Sequence, residues 1–385
     1  MQFRDFDPGA FLSDYWQKKP LLIRNPWDAW VNPVDPDTIA GLACEDEVEA
    51  RLITQNGTSW AAEHGPFPES RFANLSPNRW SLLVQAVDHF VPEVAGLMAP
   101  FRFIPNWRID DVMVSIAADQ GGVGPHFDQY DVFLIQGHGR RKWQIGGRCD
   151  EASTLRPHDD LRLLEDFAAE EEWILEPGDI LYIPPGIAHN GIAVGDNCMT
   201  YSIGFRAPSR SELIAHWADS ILDELDDDDR YADPDLREQE NPGEIDPAAI
   251  DRLHAMVTER LADRAAFTRW FGEFSSASKY PEIDWRSDAP IREDEVRSSL
   301  AAGLPLQRNS ASRFTFVREE KDAIRLFVDG VGFGCHGTTA DIAMRLCAVD
   351  ILQLEPGSDN ISDTVELITQ LINQGSLSFN PDPSE

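Results

Sequence analysis

Between about residues 101 and 207 the chain alternates short apolar strands with Gly and Pro turns, and this stretch limits the possible folds more than any other. The strand-like segments are RIDDVMVSIAA, YDVFLIQG, RKWQIGG, EEWILEPGDILYIPP and CMTYSIGFRAP. Strands of this kind, separated by turns at short intervals, are typical of an all-β sandwich or barrel. The pattern therefore predicts a β domain of the jelly-roll kind.

The segments on either side of this β region are helical or mixed. Residues 1 to about 100 combine short helical patterns with loops, and FLSDYWQKKPLLIR predicts a helix stopped by Pro20 and then a short apolar strand. After Pro208 one helical face is apolar, since its hydrophobic residues recur with helical period. They are Leu213, Trp217, Ile221 and Leu225.

An acidic run at residues 226–229 follows, and then a second helical stretch, PAAIDRLHAMVTERLADRAAFTRWFGEFSS. Two helices with apolar faces suggest a helical linker or a dimerisation module at residues 208–278. Residues 279–385 alternate strand and helix signals, which fits a small winged-helix-like domain. The fold class predicted is α+β, with the β domain and its N-terminal α/β extension together at residues 1–207.

Composition excludes several classes of protein. The 385 residues are 42% hydrophobic, enough for two or three domains. No run of about 18 apolar residues predicts a membrane span, and the first residues do not resemble a secretory signal. The cysteines form no CxxC pair, so we expect neither a disulfide framework nor a zinc ribbon, and a cytoplasmic location. They are Cys44, Cys149, Cys198, Cys335 and Cys347.

Charge constrains the partners. There are 67 acidic and 33 basic residues, a formal net charge of −34. Such a surface repels free DNA or RNA and attracts a basic protein, so we expect no direct binding of nucleic acid. The alternative interpretation is that the charge serves solubility alone.

A candidate metal site begins in GGVGPHFDQYD. In a strand, His126 and Asp128 lie on one face while Phe127 points away. The best third ligand is His189 in LEPGDILYIPPGIAHNG, where a rigid Pro-Pro-Gly turn delivers it to the start of a strand. Two histidines and one carboxylate form a facial triad that suits non-haem Fe(II). The other seven histidines lack such a context, and we interpret them as surface or structural residues.

Three cations suggest a cosubstrate. Iron of this type usually takes electrons from 2-oxoglutarate, whose distal carboxylate requires a cation inside the barrel. Arg140, Arg141 and Lys142 follow a Gly-His-Gly segment that is predicted to turn and begin the next strand. Only alternate residues of a strand face inward. The pattern therefore predicts either Arg141 alone or its two neighbours inside, and leaves both arrangements open.

Six stretches resemble the JmjC-domain, cupin-fold 2-oxoglutarate oxygenases, and in particular the bacterial ribosomal oxygenases. They are YWQKKPLLIR, RIDDVMVSIA, GGVGPHFDQYDVFLIQGHGRRKW, LEPGDILYIPPGIAHNG, YSIGFRAPSRSELI and FTRWFGEF, and they span about the first 275 residues. The resemblance implies that His126, Asp128 and His189 bind Fe(II) and that Arg141 binds the distal carboxylate of 2-oxoglutarate. It also implies a JmjC barrel (a double-stranded β-helix), a helical dimerisation module and a winged helix, hence a homodimer.

The resemblance further implies the reaction, hydroxylation of an arginine β carbon on the large-subunit ribosomal protein L-sixteen. A basic ribosomal protein complements a chain of charge −34. Ala117 stands where relatives carry a hydroxyl group, which leaves Ser115 as the candidate hydrogen-bond donor to the cosubstrate, and Thr200 stands where asparagine is expected. Candidates for gripping the substrate arginine are Asp119, Tyr130, Asp131 and Tyr201.

Three other functions fit the same residues. JmjC relatives also hydroxylate histidine or asparagine, or demethylate lysine, and the substrate pocket cannot be read from sequence. A metal-dependent cupin isomerase or dioxygenase would need no 2-oxoglutarate and would tolerate loss of Arg141. An acidic, non-catalytic binding protein for a basic ribosomal protein would retain the site without turnover.

Overall fold

The computed structural model of this protein describes residues 2–226, 228–320, 322–355, 357 and 361–380. The chain divides into two compact units. The first is formed by the chain up to Ala207 with Glu282–Trp285 and Arg308–Ser312. The second is formed by Pro208–Pro281, Arg286–Gln307 and the chain from Arg313 onward. The helical segment after Pro208 thus belongs to the same unit as the C-terminal elements, and the division into three domains remains a prediction.

The first unit is dominated by a nine-stranded sheet with antiparallel pairings. Its strands are β1 (Leu21–Ile23), β2 (Ala50–Asn56), β3 (Ser59–His64), β4 (Trp80–Val84), β5 (Ile109–Ala117), β6 (Asp131–Arg148), β7 (Glu171–Leu175), β8 (Ile180–Ile183) and β9 (Ile187–Phe205). The order is β1-β8-β6-β9-β5-β4-β2-β3, and β7 also pairs with β6. The two long strands β6 and β9 pair along nearly their whole length and are central in the sheet order.

Four short helices precede β5. They are α1 (Pro8–Asp14), α2 (Pro36–Leu42), α3 (Glu69–Ala73) and α4 (Pro92–Ala95). The carboxylate of Asp7 caps α1 by accepting hydrogen bonds from the backbone N–H groups of Gly9 and Ala10. The helix ends at Asp14, so Pro20 does not stop it as predicted, but the short apolar strand β1 follows as the sequence predicts.

A β-hairpin between residues 50 and 64 was not predicted, because the first hundred residues were interpreted as helices and loops. Strands β2 and β3 pair with Asn56 opposite Ser59, and Gly57 at the turn has φ +61°. Asn-Gly is a strong hairpin signal, since such turns need positive φ. The hairpin continues the barrel sheet through β4, which pairs with β5.

Strand β6 is continuous, and the prediction of a turn at Gly-His-Gly is wrong. The pairing with β9 shifts register between Gln136 and His138 and again between His138 and Arg140, as β-bulges do. A Cβ at Gly137 would lie 2.3 Å from the ring of Tyr201, and Gly139 has φ +62°. The two glycines therefore serve close packing and a bulge within the strand, where they had suggested a chain reversal.

The bulges change which residues face the barrel interior. Val132 and Leu134 lie on the interior face before the bulges, and Arg141 and Trp143 lie on it afterwards. The residues that face the interior therefore have even numbers before the bulges and odd numbers after them. The opposite face, with Phe133, packs into the main aromatic and aliphatic core of the unit. A one-residue insertion in a strand turns every later side chain to the other face.

The second unit contains six helices and two small sheets among its described residues. The helices are α5 (Arg210–Leu222), α6 (Pro247–Leu261), α7 (Arg264–Ser276), α8 (Glu293–Ala301), α9 (Gly337–Ala348) and α10 (Ser362–Asn373). The strands are β10 (Leu306–Arg308), β11 (Phe314–Glu320), β12 (Ala323–Val328), β13 (Val331–His336), β14 (Ile351–Leu352) and β15 (Leu377–Phe379), in the orders β14-β10-β15 and β11-β12-β13. Helices α9 and α10 bury apolar faces in one core with β11 and β12. The described helices contain no stretch with the length and hydrophobicity needed to cross a membrane.

Candidate active site

The three predicted metal ligands meet at one end of β9. His126 and Asp128 lie in the segment between β5 and β6, outside any strand, but His126 forms an isolated antiparallel bridge with His189. Its two backbone hydrogen bonds measure 3.0 and 2.8 Å. The N–H of Gly186 donates to the carbonyl of Asp128 at 2.7 Å. The Pro-Pro-Gly turn and the start of β9 thereby anchor the whole His-x-Asp segment.

The side chains of the triad point at one another. Oδ2 of Asp128 lies 3.9 Å from Nε2 of His126 and 3.6 Å from Nε2 of His189, and candidate ligand atoms of all three residues lie within 4.8 Å of one another. Nδ1 of His126 and Nδ1 of His189 each lie 2.9 Å from a backbone carbonyl oxygen, of Gly124 and Ile187 respectively. A carbonyl only accepts, so both Nδ1 atoms carry the proton and both Nε2 lone pairs are available to a metal.

Burial sets the charge state of the inner histidine. Desolvation, assisted by the neighbouring His126, lowers the pKa of His189 to about 4, while the Asp128 carboxylate opposes the shift. The imidazole is therefore neutral at physiological pH, which is the form that binds metal. Two neutral imidazoles and one carboxylate are the donor set of non-haem Fe(II) oxygenases, so the residues present fit that ion.

The triad lines a cavity of about 310 Å³ that also contains Arg141. Arg141 is 4% exposed, whereas Arg140 on the same strand is exposed. Nε of Arg141 lies 3.5 Å from Sγ of Cys198, and its Cζ lies 5.7 Å from the ring centroid of Trp143. Nη2 is buried and has no hydrogen-bond partner among the described residues. A buried guanidinium with an unused terminal edge fits the distal carboxylate of 2-oxoglutarate.

Hydroxyl groups line the wall of the same cavity. Ser115 on β5 is buried, and it lies opposite Thr200 of β9 and opposite Leu83 of β4. The hydroxyls of Ser115, Thr200 and Ser202 come from residues that line the cavity. Ala117 instead packs in a small apolar cluster with Ala193 and Cys198. Ser115 is thus placed where a cosubstrate hydrogen bond is possible, and Ala117 fills space beside the cysteine that contacts Arg141.

One of the four candidates for gripping the substrate lies at the cavity. Tyr130 lines it with 44% of the residue exposed, and desolvation together with the nearby Asp128 carboxylate raises the pKa of its phenol. The structure also places residues at the cavity that the sequence interpretation did not single out. They include Arg51, Met113, Trp143, Asp160 and Leu163.

The other three candidates are not among the residues that line the cavity, and each has a hydrogen-bond partner elsewhere. Asp131 is fully buried and accepts hydrogen bonds from Gln17, Tyr182 and Arg108. Asp119 accepts from the backbone N–H of Gly195 at 2.8 Å. The hydroxyl of Tyr201 donates to Asn32 at 2.9 Å. Their hydrogen bonds join segments that are distant along the chain, away from the residues that line the cavity.

Comparison with known protein families agrees with this architecture. The JmjC domain matches residues 96–213, and the ROXA-like winged helix matches residues 259–378. The first match contains the triad, Arg141 and Ser115. The second covers α7 through α10. The molecule is therefore a JmjC-domain protein with a winged helix, and the predicted α+β fold class is confirmed.

Two relatives show to which group of JmjC-domain proteins this chain belongs. The ribosomal protein uL16 3-hydroxylase of Escherichia coli is 44% identical over 299 residues, which are 77% of this chain and 79% of that protein. A probable ribosomal oxygenase of Haemophilus influenzae is 35% identical over 335 residues, 84% of this chain and 81% of that protein. This chain belongs to the JmjC-domain ribosomal oxygenases, as its sequence predicts.

Solved structures extend the similarity over the whole chain. The crystal structure of E. coli YcfD superposes with a TM-score of 0.89 at 37% sequence identity and covers 99% of this chain and 100% of that one. YcfD in complex with cobalt and 2-oxoglutarate superposes with a TM-score of 0.86 at 36% identity, over 98% of this chain and 99% of that one. That protein thus binds a divalent metal and the predicted cosubstrate.

Proposed function

We propose that this protein is an Fe(II)- and 2-oxoglutarate-dependent oxygenase that hydroxylates the β carbon of an arginine in ribosomal protein L-sixteen, the uL16 of its E. coli relative. One observation carries the proposal: a single cavity holds a two-histidine, one-carboxylate cluster and a buried arginine with an unused terminal nitrogen. A cupin isomerase that needs no 2-oxoglutarate would have no use for such a buried cation. The cost of burying it favours a carboxylate-containing cosubstrate.

His126, Asp128 and His189 would hold the iron through two Nε2 atoms and one carboxylate. When bound, iron and 2-oxoglutarate together activate dioxygen and supply the oxidising chemistry. The remaining roles belong to the chain. Arg141 binds the distal carboxylate and so orients the cosubstrate, Ser115 offers a hydrogen bond to it, and the cavity walls exclude water.

The substrate assignment rests on charge and on the cavity mouth. A chain of net charge −34 attracts a basic ribosomal protein by long-range electrostatics. Tyr130, at the mouth, offers an aromatic face and a hydroxyl to an arginine side chain. The acidity also opposes direct binding of nucleic acid. Because the substrate is a ribosomal protein, we place the enzyme in the cytoplasm, free of the membrane.

We further propose that the protein is a homodimer through α6 and the helical segments around it. Helix α6 has no buried residue among those described, although its sequence is amphipathic. Its exposed apolar side chains form a surface of the kind that marks protein contacts. They are Ile250, Leu253, Met256, Val257 and Leu261, with Leu222 and Ile245 exposed nearby in the sequence. Val257→Glu should reduce the mass measured by light scattering to that of a monomer, whereas Glu259→Gln on the same helix should not.

The activity is tested by mass spectrometry of L-sixteen from the same organism. The substrate is incubated with enzyme, Fe(II), ascorbate and 2-oxoglutarate, and the control enzyme is Asp128→Ala. We expect a gain of one oxygen atom on one arginine, dependent on 2-oxoglutarate and absent with the control.

Other outcomes separate the alternatives. Succinate formation without a mass gain on L-sixteen would retain the oxygenase and reject this substrate, and hydroxylation of histidine or asparagine elsewhere would then be sought. Tight binding of L-sixteen with neither succinate nor a mass gain would support a non-catalytic binding protein. Full turnover by Asp128→Ala would refute the assignment of the triad.

A further inference from the structure

Two buried hydrogen-bond donors of the cavity lack a partner. Among the described residues that line the cavity, these are Nη2 of Arg141 and the indole Nε1 of Trp143. A buried donor without an acceptor is costly, and native structures seldom leave one unsatisfied. Two such donors in one cavity indicate a ligand with oxygen atoms that accept from both. In the proposed function Arg141 binds the cosubstrate carboxylate, whereas Trp143 has no assigned role.

The position of Trp143 is set by its neighbours. It lies two residues after Arg141 on β6, so both side chains face the interior. A Cβ at Gly191 would lie 2.7 Å from Cη2 and Cζ3 of Trp143, so the six-membered ring of the indole lies against β9 and Nε1 is on the edge away from Gly191. The ring centroid is 5.9 Å from that of His189. The ring of Trp143 is therefore close both to the buried guanidinium and to one of the candidate metal ligands.

We propose that Trp143 is a cosubstrate-binding residue whose Nε1–H donates a hydrogen bond to the distal carboxylate of 2-oxoglutarate, beside Arg141. This inference rests on the proposed function. Nε of Arg141 is already directed at Cys198, which leaves the two terminal nitrogens for the carboxylate. A carboxylate has about four acceptor positions, so two guanidinium bonds leave room for an indole N–H. The indole N–H adds an uncharged third donor to the two terminal nitrogens of Arg141. Three donors at one end of the pocket favour a group with several acceptor positions there, such as a carboxylate.

The matched pair of variants is Trp143→Phe and Trp173→Phe. Phenylalanine keeps an aromatic ring and removes the N–H. Trp173 lies directly opposite Trp143 on β7 but is not among the residues that line the cavity, so the same change there is the control. Binding of 2-oxoglutarate is measured by calorimetry on the cobalt-loaded protein without oxygen, and pyruvate, which lacks the distal carboxylate, is measured alongside.

We expect Trp143→Phe to weaken binding of 2-oxoglutarate by about 10- to 100-fold, the range for a hydrogen bond to a charged acceptor. Pyruvate binding and cobalt affinity should stay unchanged, and so should both affinities in Trp173→Phe. An equal loss of affinity for pyruvate and for 2-oxoglutarate in Trp143→Phe would place the contact at the metal end of the cosubstrate and overturn the proposal. An unchanged affinity for 2-oxoglutarate would also overturn it.

A second measurement uses the unmodified indole and does not depend on the stability of a variant. In zinc-loaded protein with ¹⁵N-labelled tryptophan, the N–H signal that is missing in Trp143→Phe should move downfield on addition of 2-oxoglutarate but not of pyruvate. A signal that stays in place would refute the hydrogen bond. If the wild-type protein binds no 2-oxoglutarate at all, the proposed function itself fails, and this outcome is distinct from either result for Trp143.

Discussion

Replacing Arg141 by alanine tests the strand face on which the cosubstrate pocket depends. The guanidinium is buried, and no described acidic residue forms an ion pair with it. Truncating one partner of a buried charge pair costs about 2–5 kcal/mol, largely because the other charge is left unpaired. At about 1.4 kcal/mol for each tenfold change, the dissociation constant of 2-oxoglutarate should rise at least about 30-fold.

The same change predicts a measurable loss of ligand-induced stability. A ligand at 100 times its dissociation constant stabilises the wild-type protein by about 2.7 kcal/mol. At the same concentration, a 30-fold weaker ligand stabilises by only about 0.9 kcal/mol. Without ligand, Arg141→Met should unfold no earlier than the wild type, because methionine fills much of the space and removes a buried charge that lacks a carboxylate partner.

The assay is urea unfolding of cobalt-loaded protein without oxygen, with and without 2-oxoglutarate. It compares the wild type with Arg141→Ala, Arg141→Met and Arg140→Ala. Cobalt affinity is measured separately and should be the same in all four, since neither arginine belongs to the metal cluster. Arg140→Ala should respond to 2-oxoglutarate like the wild type because its side chain is exposed.

Two results would refute the reasoning. Full stabilisation of Arg141→Ala by 2-oxoglutarate would mean that the buried guanidinium does not bind the cosubstrate. Loss of the response in Arg140→Ala, with Arg141→Ala unaffected, would mean that the strand presents its other face to the cavity.

Three further predictions follow from other contacts. In metal-free protein the lowered pKa of His189 means that the unfolded state binds this proton at higher pH than the folded state, so the free energy of unfolding should fall as pH drops from about 6.5 towards 4, by about 2 kcal/mol at pH 5. Unfolding measured at pH 7 and at pH 5 should show this loss in the wild type and not in His189→Asn. Gly191→Ala places a Cβ against the ring of Trp143, so the affinity for 2-oxoglutarate in the calorimetric assay should fall at least about tenfold. An unchanged affinity would mean that the ring moves aside freely. Gly272→Ala places a Cβ 2.3 Å from the ring of Phe327 and should lower the unfolding free energy of the second unit by about 1–3 kcal/mol. The affinity for 2-oxoglutarate should stay normal, and a loss of that affinity would contradict the prediction.

The metal cluster could be predicted because its spacing is short and its residue types are specific. His126 and Asp128 are separated by one residue, and His189 follows a turn of Pro-Pro-Gly that leaves little choice of direction. The structure brings the three together, although by a backbone bridge between His126 and His189 instead of the strand alternation that the sequence suggested. The composition and the alternating strands likewise predicted the β class of the first unit.

The candidate residues for gripping the substrate show what spacing does not reveal. Asp131 and Tyr201 lie on β6 and β9, close in sequence to cavity residues, yet both side chains face away and are satisfied by Gln17, Tyr182 and Asn32. Along the chain, Gln17 lies 114 residues and Tyr182 lies 51 residues from Asp131, and Asn32 lies 169 residues from Tyr201. Which carboxylate is structural therefore depends on packing that local patterns do not contain.

By itself the sequence predicted the candidate metal ligands, the class of fold and the presence of a cation near the pocket, because each follows from residue type and short-range periodicity. Only the tertiary structure decided which cation faces inward. Counting by twos from Leu134 leads to Arg140, but the bulges between Gln136 and Arg140 add one residue and place Arg141 inside. A bulge depends on the partner strand β9, whose paired residues lie 54 (Arg140 to Val194) to 64 (Gln136 to Thr200) positions further along the chain, so no local reading of Gly-His-Gly could have placed it.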